Sequence, residues 1–422
     1  MRDQRIAIIG AGVGGLTLAI ALRQRGIRAE VYEQANELAE IGAAVALSAN
    51  ATRELRRLGV LNDIVAVSTE PETLIYRDGR TGRCIAAHPM HQDRRYQQRF
   101  DAPYCGIHRA ELQRILSTAV GREALHLGHR LVDIAGQRDS LRLAFANGRI
   151  ADTDIVVGAD GVRSFVRRWV TGRDGVRYSG TSAFRGIVPQ HLLPRLPDRM
   201  AIQFWMGPDA HLLHYAIGRD GSHVNFFAVT EGPVEWPDLS HWVIEAKPGE
   251  ALSHFAGWHE AVVEMVGAGW VTRRWGLFVV DQPACWNRSH VVLLGDAAHT
   301  MLPHHGQGAN TTIEDAITLA ELLPGITSET WDERMACYGE LRRVRTRTIQ
   351  YSSWVTNRLL HLPDGPALAD RDARVANFPA RFGWIHEHDA LLTIGGSLRR
   401  VRLADASAPL SPGRLASENG KG

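Results

Sequence analysis

The sequence contains little of what marks secreted, zinc-binding or membrane-spanning proteins. Its 422 residues include four cysteines, which are far apart and form no Cys-x-x-Cys pair: Cys84, Cys105, Cys285 and Cys337. Structural zinc and a disulfide framework are therefore not expected. The first apolar run, residues 6–9, is too short for a signal-peptide core or a membrane span. We expect a reduced, cytoplasmic protein with no metal site and no membrane contact.

A strong excess of charge of one sign is also missing. The 48 Lys and Arg residues and 46 Asp and Glu residues give a formal net charge of +2, which is too small to predict binding to nucleic acid or to an anionic membrane. The hydrophobic content of 45% and the charged content of 22% are ordinary for a soluble globular protein. The length predicts two or three domains, and both a monomer and a homodimer are open.

The first motif lies at the start of the chain. An apolar run over residues 6–9 predicts a buried strand, and Gly10, Gly12 and Gly15 follow it in the spacing Gly-x-Gly-x-x-Gly. An amphipathic helix over 16–25 and a second strand over 28–32, which ends at Glu33, complete a βαβ unit. Glycines at these positions allow a tight turn and close approach of a pyrophosphate, and the acidic residue can bind ribose hydroxyls. The motif predicts an adenine dinucleotide site.

A second motif follows a predicted strand over residues 154–157. It reads Gly158-Ala159-Asp160-Gly161. A strand followed by an Asp-Gly turn is common in proteins of many kinds, and by itself this segment favours that plain interpretation. Its residue types also suit a strand end that abuts a cofactor, where Asp160 would bind backbone or ligand.

The third motif is the most restrictive. An apolar run over residues 291–294 ends at Gly295 and Asp296, a glycine-containing loop follows, and a helix is predicted to begin near Ala309. A carboxylate at a strand end can bind a sugar-type hydroxyl, and a helix N-terminus can bind an anion. The plain alternative is a strand, a loop and a capped helix, with three incidental histidines: His299, His304 and His305. A metal site is disfavoured, because these histidines show no ligand spacing with carboxylates or cysteines.

The middle of the chain has a different texture from its two ends. From about residue 178 to 286, short β-like runs with tryptophans and prolines replace the helical patterns, which return over 316–323 and 331–360. We predict an α/β fold with a sheet-rich insertion. The predicted parts are a discontinuous Rossmann-like dinucleotide-binding domain (1–70, 101–177 and 287–330), a sheet domain (71–100 and 178–286), a C-terminal helical region (331–400) and a disordered tail (407–422).

The three motifs, in this order, resemble those of the class A flavoprotein aromatic hydroxylases, a family of single-component FAD monooxygenases that includes salicylate hydroxylase and 6-hydroxynicotinate 3-monooxygenase. The similarity covers roughly residues 5–360. Its most specific part is the third motif, with Gly295, Asp296, His299, Pro303, Gly306, Gly308, Glu314 and Asp315. The resemblance implies a p-hydroxybenzoate hydroxylase-like fold, in which the Rossmann-like domain binds FAD and the sheet domain binds substrate.

The resemblance also implies the reaction. NADH or NADPH would reduce FAD, and O2 would then give a flavin C4a-hydroperoxide that hydroxylates a small hydroxylated aromatic or heteroaromatic acid. The sequence contains one dinucleotide fingerprint, so the nicotinamide is expected to meet the flavin transiently. The choice between NADH and NADPH, the position of hydroxylation and any accompanying decarboxylation are open. Two other functions are open as well: a related flavoprotein reductase or oxidase that does not hydroxylate, and a non-catalytic dinucleotide-binding protein.

Carried over position by position, the family pattern implies a set of FAD-binding residues. Gly10, Gly12, Gly15 and Glu33 would hold the ADP half, and Arg109 would lie near the phosphates and the ribityl chain. Asp160 is linked in the family to FAD and NAD(P)H, and Asp296 matches a carboxylate that binds a ribityl hydroxyl. The isoalloxazine would be lined by Ala44, Val45, Gly308, Ala309 and Asn310.

The candidate catalytic residues are His211, Tyr215 and His304. In a strand over residues 211–217, alternation places His211 and Tyr215 on one face and His214 on the other. A histidine or tyrosine near a ring hydroxyl can assist its deprotonation, and His304 follows Pro303, a residue prone to a cis bond, in the loop that the resemblance places beside the flavin. A plain interpretation, in which one or two of these are simply hydrogen-bonded residues of the sheet, is open as well, whereas the position after Pro303 favours a functional interpretation of His304. Arg185 is a candidate for carboxylate binding, flavin support or a surface ion pair.

Overall fold

The computed structural model describes residues 4–38, 44–137, 140–239 and 241–395, so the predicted tail over 407–422 lies outside the described residues. The strands, in chain order, are β1 (Ile6–Ile9), β2 (Ala29–Tyr32), β3 (Ala44–Leu47), β4 (Thr73–Asp78), β5 (Cys84–Pro89), β6 (Cys105–His108), β7 (Leu125–His126), β8 (Leu131–Gln137), β9 (Ser140–Phe145), β10 (Ile150–Thr153), β11 (Ile155–Gly158), β12 (Val176–Pro189), β13 (Ile202–Gly207), β14 (Ala210–Ile217), β15 (His223–Glu231), β16 (Val243–Glu245), β17 (Arg273–Val280), β18 (Asn287–Arg288) and β19 (Val291–Leu293).

The helices, in chain order, are α1 (Val13–Gln24), α2 (Ala49–Arg57), α3 (Leu61–Val67), α4 (Arg95–Phe100), α5 (Arg109–Val120), α6 (Phe165–Thr171), α7 (Glu250–His254), α8 (Glu260–Ala268), α9 (Asp296–His299), α10 (Gly308–Leu322), α11 (Trp331–Leu360), α12 (Ala367–Ala376) and α13 (Phe378–Glu387). In the part of the chain that the structure describes, none of these helices is both long enough and apolar enough to cross a membrane.

The first large sheet is mostly parallel and joins the three sequence motifs. Its strand order is β18-β19-β11-β1-β2-β7, and β1 pairs in parallel with both β2 and β11. All four residues of β1 are buried, as expected for a parallel strand covered by helices on both faces. Because β1, β11 and β19 are neighbours, the segments that follow them meet at one edge of the sheet. The predicted Rossmann-like arrangement is confirmed.

The second large sheet is mostly antiparallel. Its strand order is β16-β17-β12-β15-β14-β13-β4-β5, with one parallel pair between β13 and β4. One face carries Trp205, Leu212 and Phe226, which pack with Phe255 and Met265 from α7–α8 and the segment between them. A short antiparallel ribbon of β3 and β6 contacts the opposite face, where Gly106 lies against the Tyr215 ring. The ribbon therefore lies beside the sheet face that carries Tyr215.

The segment after β19 differs from the sequence-based expectation of an open loop. Residues Asp296–His299 form the short helix α9, and Pro303–His305 form a 3₁₀ turn before α10 begins at Gly308. The bond before Pro303 was expected to be prone to cis, but the cis peptide bond recorded among the described residues joins Gly232 and Pro233. Local hydrogen bonds such as His299 N–H to Gly295 O convert the glycine-containing loop into helical turns.

Candidate active site

The glycine-rich turn after β1 is packed so tightly that a side chain at either of two of its glycines would clash with backbone. A Cβ on Gly15 would lie 2.0 Å from the Gly10 carbonyl oxygen, and a Cβ on Gly10 would lie 2.4 Å from the Ala159 carbonyl oxygen. Gly10 also has a φ of 110°, which disfavours residues with a side chain. A Cβ on Gly12 would meet no atom of the described residues within 4 Å. Gly12 is the N-cap of α1, so the open side of the turn lies where a helix N-terminus can receive a phosphate.

Glu33 supports this turn through both carboxylate oxygens. The backbone N–H of Ala11 donates to Oε2 at 2.8 Å, and the N–H of Ala35 donates to Oε1 at 2.9 Å. Glu33 is partly exposed. A carboxylate has about four acceptor sites, so ribose hydroxyls can be bound in addition to the two amides. The structure thus gives Glu33 a supporting role in the turn that its sequence position did not reveal.

Asp160 caps a helix. The hydroxyl of Ser164 donates to its Oδ1, and the backbone N–H of Val166 donates to Oδ2 at 3.1 Å, at the start of α6. Desolvation raises the pKa of the Asp160 carboxyl, and these hydrogen bonds oppose the increase. The capping contacts agree with the plain interpretation of the Asp-Gly segment. They also fix Asp160 beside Gly10, because a Cβ on Gly10 would lie 3.2 Å from the Asp160 Cα.

Asp296 is the exposed residue of an otherwise buried segment. Residues 291–295 and 297–299 are all buried, whereas the side chain of Asp296 is exposed. Its surroundings limit hydration and raise the pKa of its carboxyl, while the nearby His299 and Arg109 lower it. Gly295 precedes it with a φ of 64°, and a Cβ there would lie 2.7 Å from the Thr312 side chain. The backbone therefore directs one carboxylate out of a packed core, where the positive charge of Arg109 acts on it.

Beneath Asp296 lies a buried cluster of charged groups from α9, α10 and α11. His299 Nε2 pairs with Asp315 Oδ2 at 2.5 Å, and Arg342 Nε donates to Asp315 Oδ1 at 2.6 Å. Arg342 also pairs with Glu314, which accepts two further bonds at 2.7 Å from Arg345. The sequence marked His299, Glu314 and Asp315 as motif residues without a role. The partners on α11 were missed, since arginines on a long helix are typical of a solvated face.

Asn310 holds the β3 segment against α10. Its Nδ2 donates to the Ala46 and Gly306 carbonyls at 2.9 and 2.6 Å, and its Oδ1 accepts from the Ser48 N–H at 2.9 Å. The preceding residues Gly308 and Ala309 are partly exposed at the N-terminus of α10, and Ala44 and Val45 on β3 are also partly exposed. Four of the residues expected along the isoalloxazine are therefore accessible, and the fifth, Asn310, is buried and connects the two segments that carry them.

The second sheet presents a partly open wall near its centre. The registers place Leu213 opposite Phe227, and Phe227 opposite Arg185, across β14, β15 and β12. All three side chains are partly exposed although they lie on central strands. The Arg185 guanidinium lies 4.7 Å from the Phe227 ring centroid and 5.4 Å from that of Trp275. The wall combines aromatic surface with one cation.

His211 and His304 meet beside this wall. Their ring centroids are 5.1 Å apart in an edge-on arrangement, and both rings are buried. Among the described residues, no hydrogen-bond partner meets either ring nitrogen of His304. Burial, together with neighbouring histidines, lowers the pKa of both imidazoles well below the usual value. Both rings are therefore neutral at neutral pH and able to accept a proton.

Tyr215 lies on the same face of β14 as His211, and His214 lies on the other face. Burial raises the pKa of the Tyr215 hydroxyl, and the positive charges of Arg185 and Arg109 oppose that increase. His214 is fully buried beside Trp205, and within the described part of the chain neither of its ring nitrogens has a hydrogen-bond partner. Burial lowers its pKa to about 3. The structure therefore places Tyr215 on the face of the wall and leaves His214 in the core behind it.

Comparison with known proteins decides the family. The model of the FAD binding domain family matches residues 3–351. The chain belongs to this family of FAD-dependent aromatic monooxygenases. It is 38% identical over 394 residues to 3-amino-4-hydroxybenzoate 2-monooxygenase from Streptomyces cremeus, covering 92% of this chain and 96% of the relative. It is 31% identical over 411 residues to salicylate hydroxylase from Pseudomonas putida, covering 91% of this chain and 92% of the relative.

Solved structures agree with this assignment. A salicylate hydroxylase substrate complex superposes with a TM-score of 0.79 at 25% identity and covers 93% of this chain and 97% of that one. HpxO of Klebsiella pneumoniae, solved with FAD and uric acid, gives a TM-score of 0.74 at 25% identity. The alignment covers 93% of this chain and 95% of HpxO. The expected fold, the FAD cofactor and the monooxygenase activity are confirmed. This monooxygenase uses FAD with NAD(P)H and O2 to hydroxylate a small aromatic acid.

Proposed function

We propose that this monooxygenase hydroxylates a benzoate with an amino and a hydroxyl substituent, of the 3-amino-4-hydroxybenzoate class. The observation that carries the proposal is the wall of Leu213, Phe227 and Arg185, which offers apolar surface for one ring and a single cation for one carboxylate. The similarity to the Streptomyces cremeus enzyme, which extends over 92% of this chain, supports the choice of an amino-substituted ring within the wider class of aromatic acids.

In this proposal, Arg185 binds the substrate carboxylate. A guanidinium presents several N–H donors in one plane and pairs with carboxylates through two parallel hydrogen bonds. The flanking rings of Phe227 and Trp275 hold the guanidinium plane and exclude water from it. Tyr215, kept protonated by burial, acts as a hydrogen-bond donor to a ring substituent.

His211 and His304 are the proposed proton acceptors. In a 3-amino-4-hydroxybenzoate ring, C2 is adjacent to the carbon that bears the amino group, so the nitrogen electron pair activates C2 for oxygen transfer. As that pair moves into the ring, an N–H proton becomes acidic and needs a base nearby. A neutral, buried imidazole is suited to this role, and His211 and His304 are both of this kind. A phenol activated through its own oxygen would use the same acceptors.

The residues that would hold FAD fit the group in charge and in space. The open side of Gly12 at the α1 N-terminus suits the pyrophosphate, Glu33 the ribose, and Asp296 and Arg109 the ribityl chain and phosphates. Asp160 would lie beside the glycine-rich turn, and Ala44, Val45, Gly308, Ala309 and Asn310 would border the isoalloxazine. When bound, FAD supplies the redox and oxygen-activating chemistry. The polypeptide binds and orients the ring, excludes water and accepts the proton.

We also propose the domain division predicted from the sequence. The Rossmann-like sheet (β1, β2, β7, β11, β18 and β19) would belong to the FAD domain, and the eight-stranded sheet, with β4 and β5 from residues 73–89, would belong to the substrate domain. The four cysteines are free thiols, which supports a reduced, cytoplasmic setting.

A substrate panel tests the proposed function. The FAD-loaded protein is mixed with NADH or NADPH and with 3-amino-4-hydroxybenzoate, 4-hydroxybenzoate, salicylate or 3-aminobenzoate, and products are identified by mass. We expect coupled NAD(P)H oxidation and a product 16 mass units heavier, strongest with the amino-hydroxy acid, and a large loss of substrate affinity in Arg185→Gln. Turnover of salicylate but not of the amino-hydroxy acid, or an Arg185→Gln variant with unchanged KM, would contradict the proposal.

A further inference from the structure

A line of three hydrogen-bonded side chains leads from the wall to the surface. His211 Nδ1 lies 2.6 Å from His361 Nε2, and His361 Nδ1 is in short contact with Glu231 Oε1. His211 is 1% exposed, His361 is 5% exposed, and the Glu231 side chain is 43% exposed. The three groups therefore connect the buried interior with solvent in two contacts.

Backbone contacts hold these groups in place from three elements. His361 is the C-cap residue of α11, and its carbonyl accepts from the Asp209 N–H at 3.3 Å. The Asp209 carbonyl in turn accepts from the Glu231 N–H at 2.8 Å. Asn357, one turn earlier on α11, donates to Glu231 Oε1 at 3.4 Å. The end of α11 is thus fixed to the β14–β15 pair at the point where the side chains meet.

The order of the contacts selects one tautomer for each ring. The Glu231 carboxylate accepts hydrogen bonds only, so His361 carries its proton on Nδ1. His361 Nε2 is then an acceptor, and His211 must carry its proton on Nδ1 to donate to it. The proton-accepting atom left on His211 is Nε2, on the opposite edge of the ring from His361. A carboxylate that orients an imidazole in this way also stabilises its protonated form.

We propose that His361 and Glu231 form a proton path that carries a substrate proton from His211 to solvent. The proposal rests on the proposed function, in which His211 accepts that proton. His361 and Glu231 do not touch the substrate and act through His211, so they are positioning residues.

The transfer balances in protons and bonds. An N–H or O–H bond breaks at the ring substituent, and an N–H bond forms at His211 Nε2. The Nδ1 proton of His211 moves to His361 Nε2, and the Nδ1 proton of His361 moves to the Glu231 carboxylate, from which water accepts it. Reverse transfer when the product regains a proton restores both starting tautomers. No oxidant or reductant takes part in this step.

Within the part of the chain that the structure describes, few charged and titratable groups surround His211. His304 faces it from the turn before α10, His361 faces it from the end of α11, and Glu231 lies behind His361 at the end of β15. Phe204, from β13, stacks on the remaining side. Among these, Glu231 carries the one fixed negative charge, so its removal should change the proton affinity of His211 more than a local packing change would.

The test compares Glu231→Gln with Glu231→Asp and with a matched control. Gln keeps the length of the side chain but removes the charge and the proton acceptor. Its amide can donate as well as accept, so it no longer selects the Nδ1-protonated tautomer of His361, whereas Asp keeps the charge and the acceptor-only carboxylate. Glu30→Gln is the control, because Glu30 forms an exposed pair with His126 at 2.6 Å outside this line. Rapid-mixing experiments on the FAD-loaded protein measure flavin reduction and hydroxylation separately over pH 5.5–9, and nitrogen-15 NMR reports the histidine tautomers.

We expect Glu231→Gln to reduce FAD at the normal rate and to slow hydroxylation on the order of tenfold to a hundredfold, with a displaced pH profile. Glu231→Asp should recover most of the rate, and the NMR signal of one Nδ1-protonated histidine should be lost only in Glu231→Gln. A Glu231→Gln variant with normal rate, pH profile and NMR signals would overturn the path. If His211→Ala slows hydroxylation while Glu231→Gln does not, the proposed function stands without the path; if neither does, His211 is not the base.

Discussion

The Nε2 of His299 and the Oδ2 of Asp315 lie 2.5 Å apart, and both side chains are fully buried directly below the α9 turn that presents Asp296. The same Asp315 oxygen accepts the Gly295 N–H at 3.1 Å. Burial by itself raises the pKa of the Asp315 carboxyl, but His299 and Arg342 lower it below its usual value. Asp315 is therefore ionised, and it fixes the backbone that positions the exposed Asp296.

Breaking this pair should destabilise the protein. Asp315→Asn removes one of the two carboxylates that pair with the buried Arg342 and leaves Glu314 as the other. Loss of one partner of a buried pair costs about 3–5 kcal/mol, and because Glu314 still compensates Arg342 we expect a loss at the lower end of that range, about 3 kcal/mol. Urea unfolding of the protein without FAD measures the change. Asp152→Asn, which breaks the exposed pair of β9 and β10, is the control and should leave the unfolding curve unchanged. An Asp315→Asn protein of wild-type stability would show that the cluster does not stabilise the fold.

Substitution by alanine should affect fold stability at one glycine of this turn and FAD binding at another. In Gly15→Ala the new Cβ would meet the Gly10 carbonyl oxygen at 2.0 Å, so backbone must shift, and we expect a loss of roughly 1–3 kcal/mol or more. In Gly12→Ala the Cβ meets no described atom within 4 Å, so the fold should persist. FAD affinity should fall, because the side chain obstructs the pyrophosphate. Unfolding curves and FAD fluorescence titrations separate the two effects. Equal stability losses in both variants would contradict this account.

Asp296→Ala should weaken FAD binding without weakening the fold. The side chain is exposed in the protein, so unfolding of the FAD-free form should not change. Loss of a hydrogen bond to a charged group is worth about 1.5–3 kcal/mol, which corresponds to a dissociation constant for FAD raised roughly tenfold to a hundredfold. Fluorescence titration measures it. FAD bound as tightly as in the wild type would remove Asp296 from the ribityl role.

The sequence predicted the parts of the site that depend on local pattern and missed those that depend on long-range pairing. The glycine spacing, the strand before Gly295 and the alternation in β14 are local, and the structure contains all three. The contacts of Arg342 with Asp315, and of His361 with His211, join residues 27 and 150 positions apart. No periodicity marks such pairs, because they form only when α11 packs across both sheets. The two hydrogen bonds that Glu33 accepts from the Ala11 and Ala35 backbone could not be predicted for a similar reason, because every residue type except proline carries the same backbone donor.

His214 gives a prediction about both stability and pH. Neither of its ring nitrogens has a hydrogen-bond partner among the residues that the structure describes. His214→Leu should therefore raise the free energy of unfolding by roughly 1–3 kcal/mol at pH 7 and leave hydroxylation unchanged. Burial lowers the folded-state pKa of His214 to about 3, whereas the unfolded state titrates near 6.5.

Between these two pKa values the unfolded chain binds a proton that the folded protein does not, so His214 makes stability fall as pH drops from about 6.5 to about 3. This contribution should be absent in His214→Leu, whose unfolding free energy should decline less steeply on acidification than that of the wild type. Urea unfolding at several pH values between 7 and 4 measures both slopes. If the unfolding free energies of wild type and variant fall with the same slope, His214 gains a hydrogen-bond partner or a water on protonation. A loss of hydroxylation in the variant would instead place His214 in the active site.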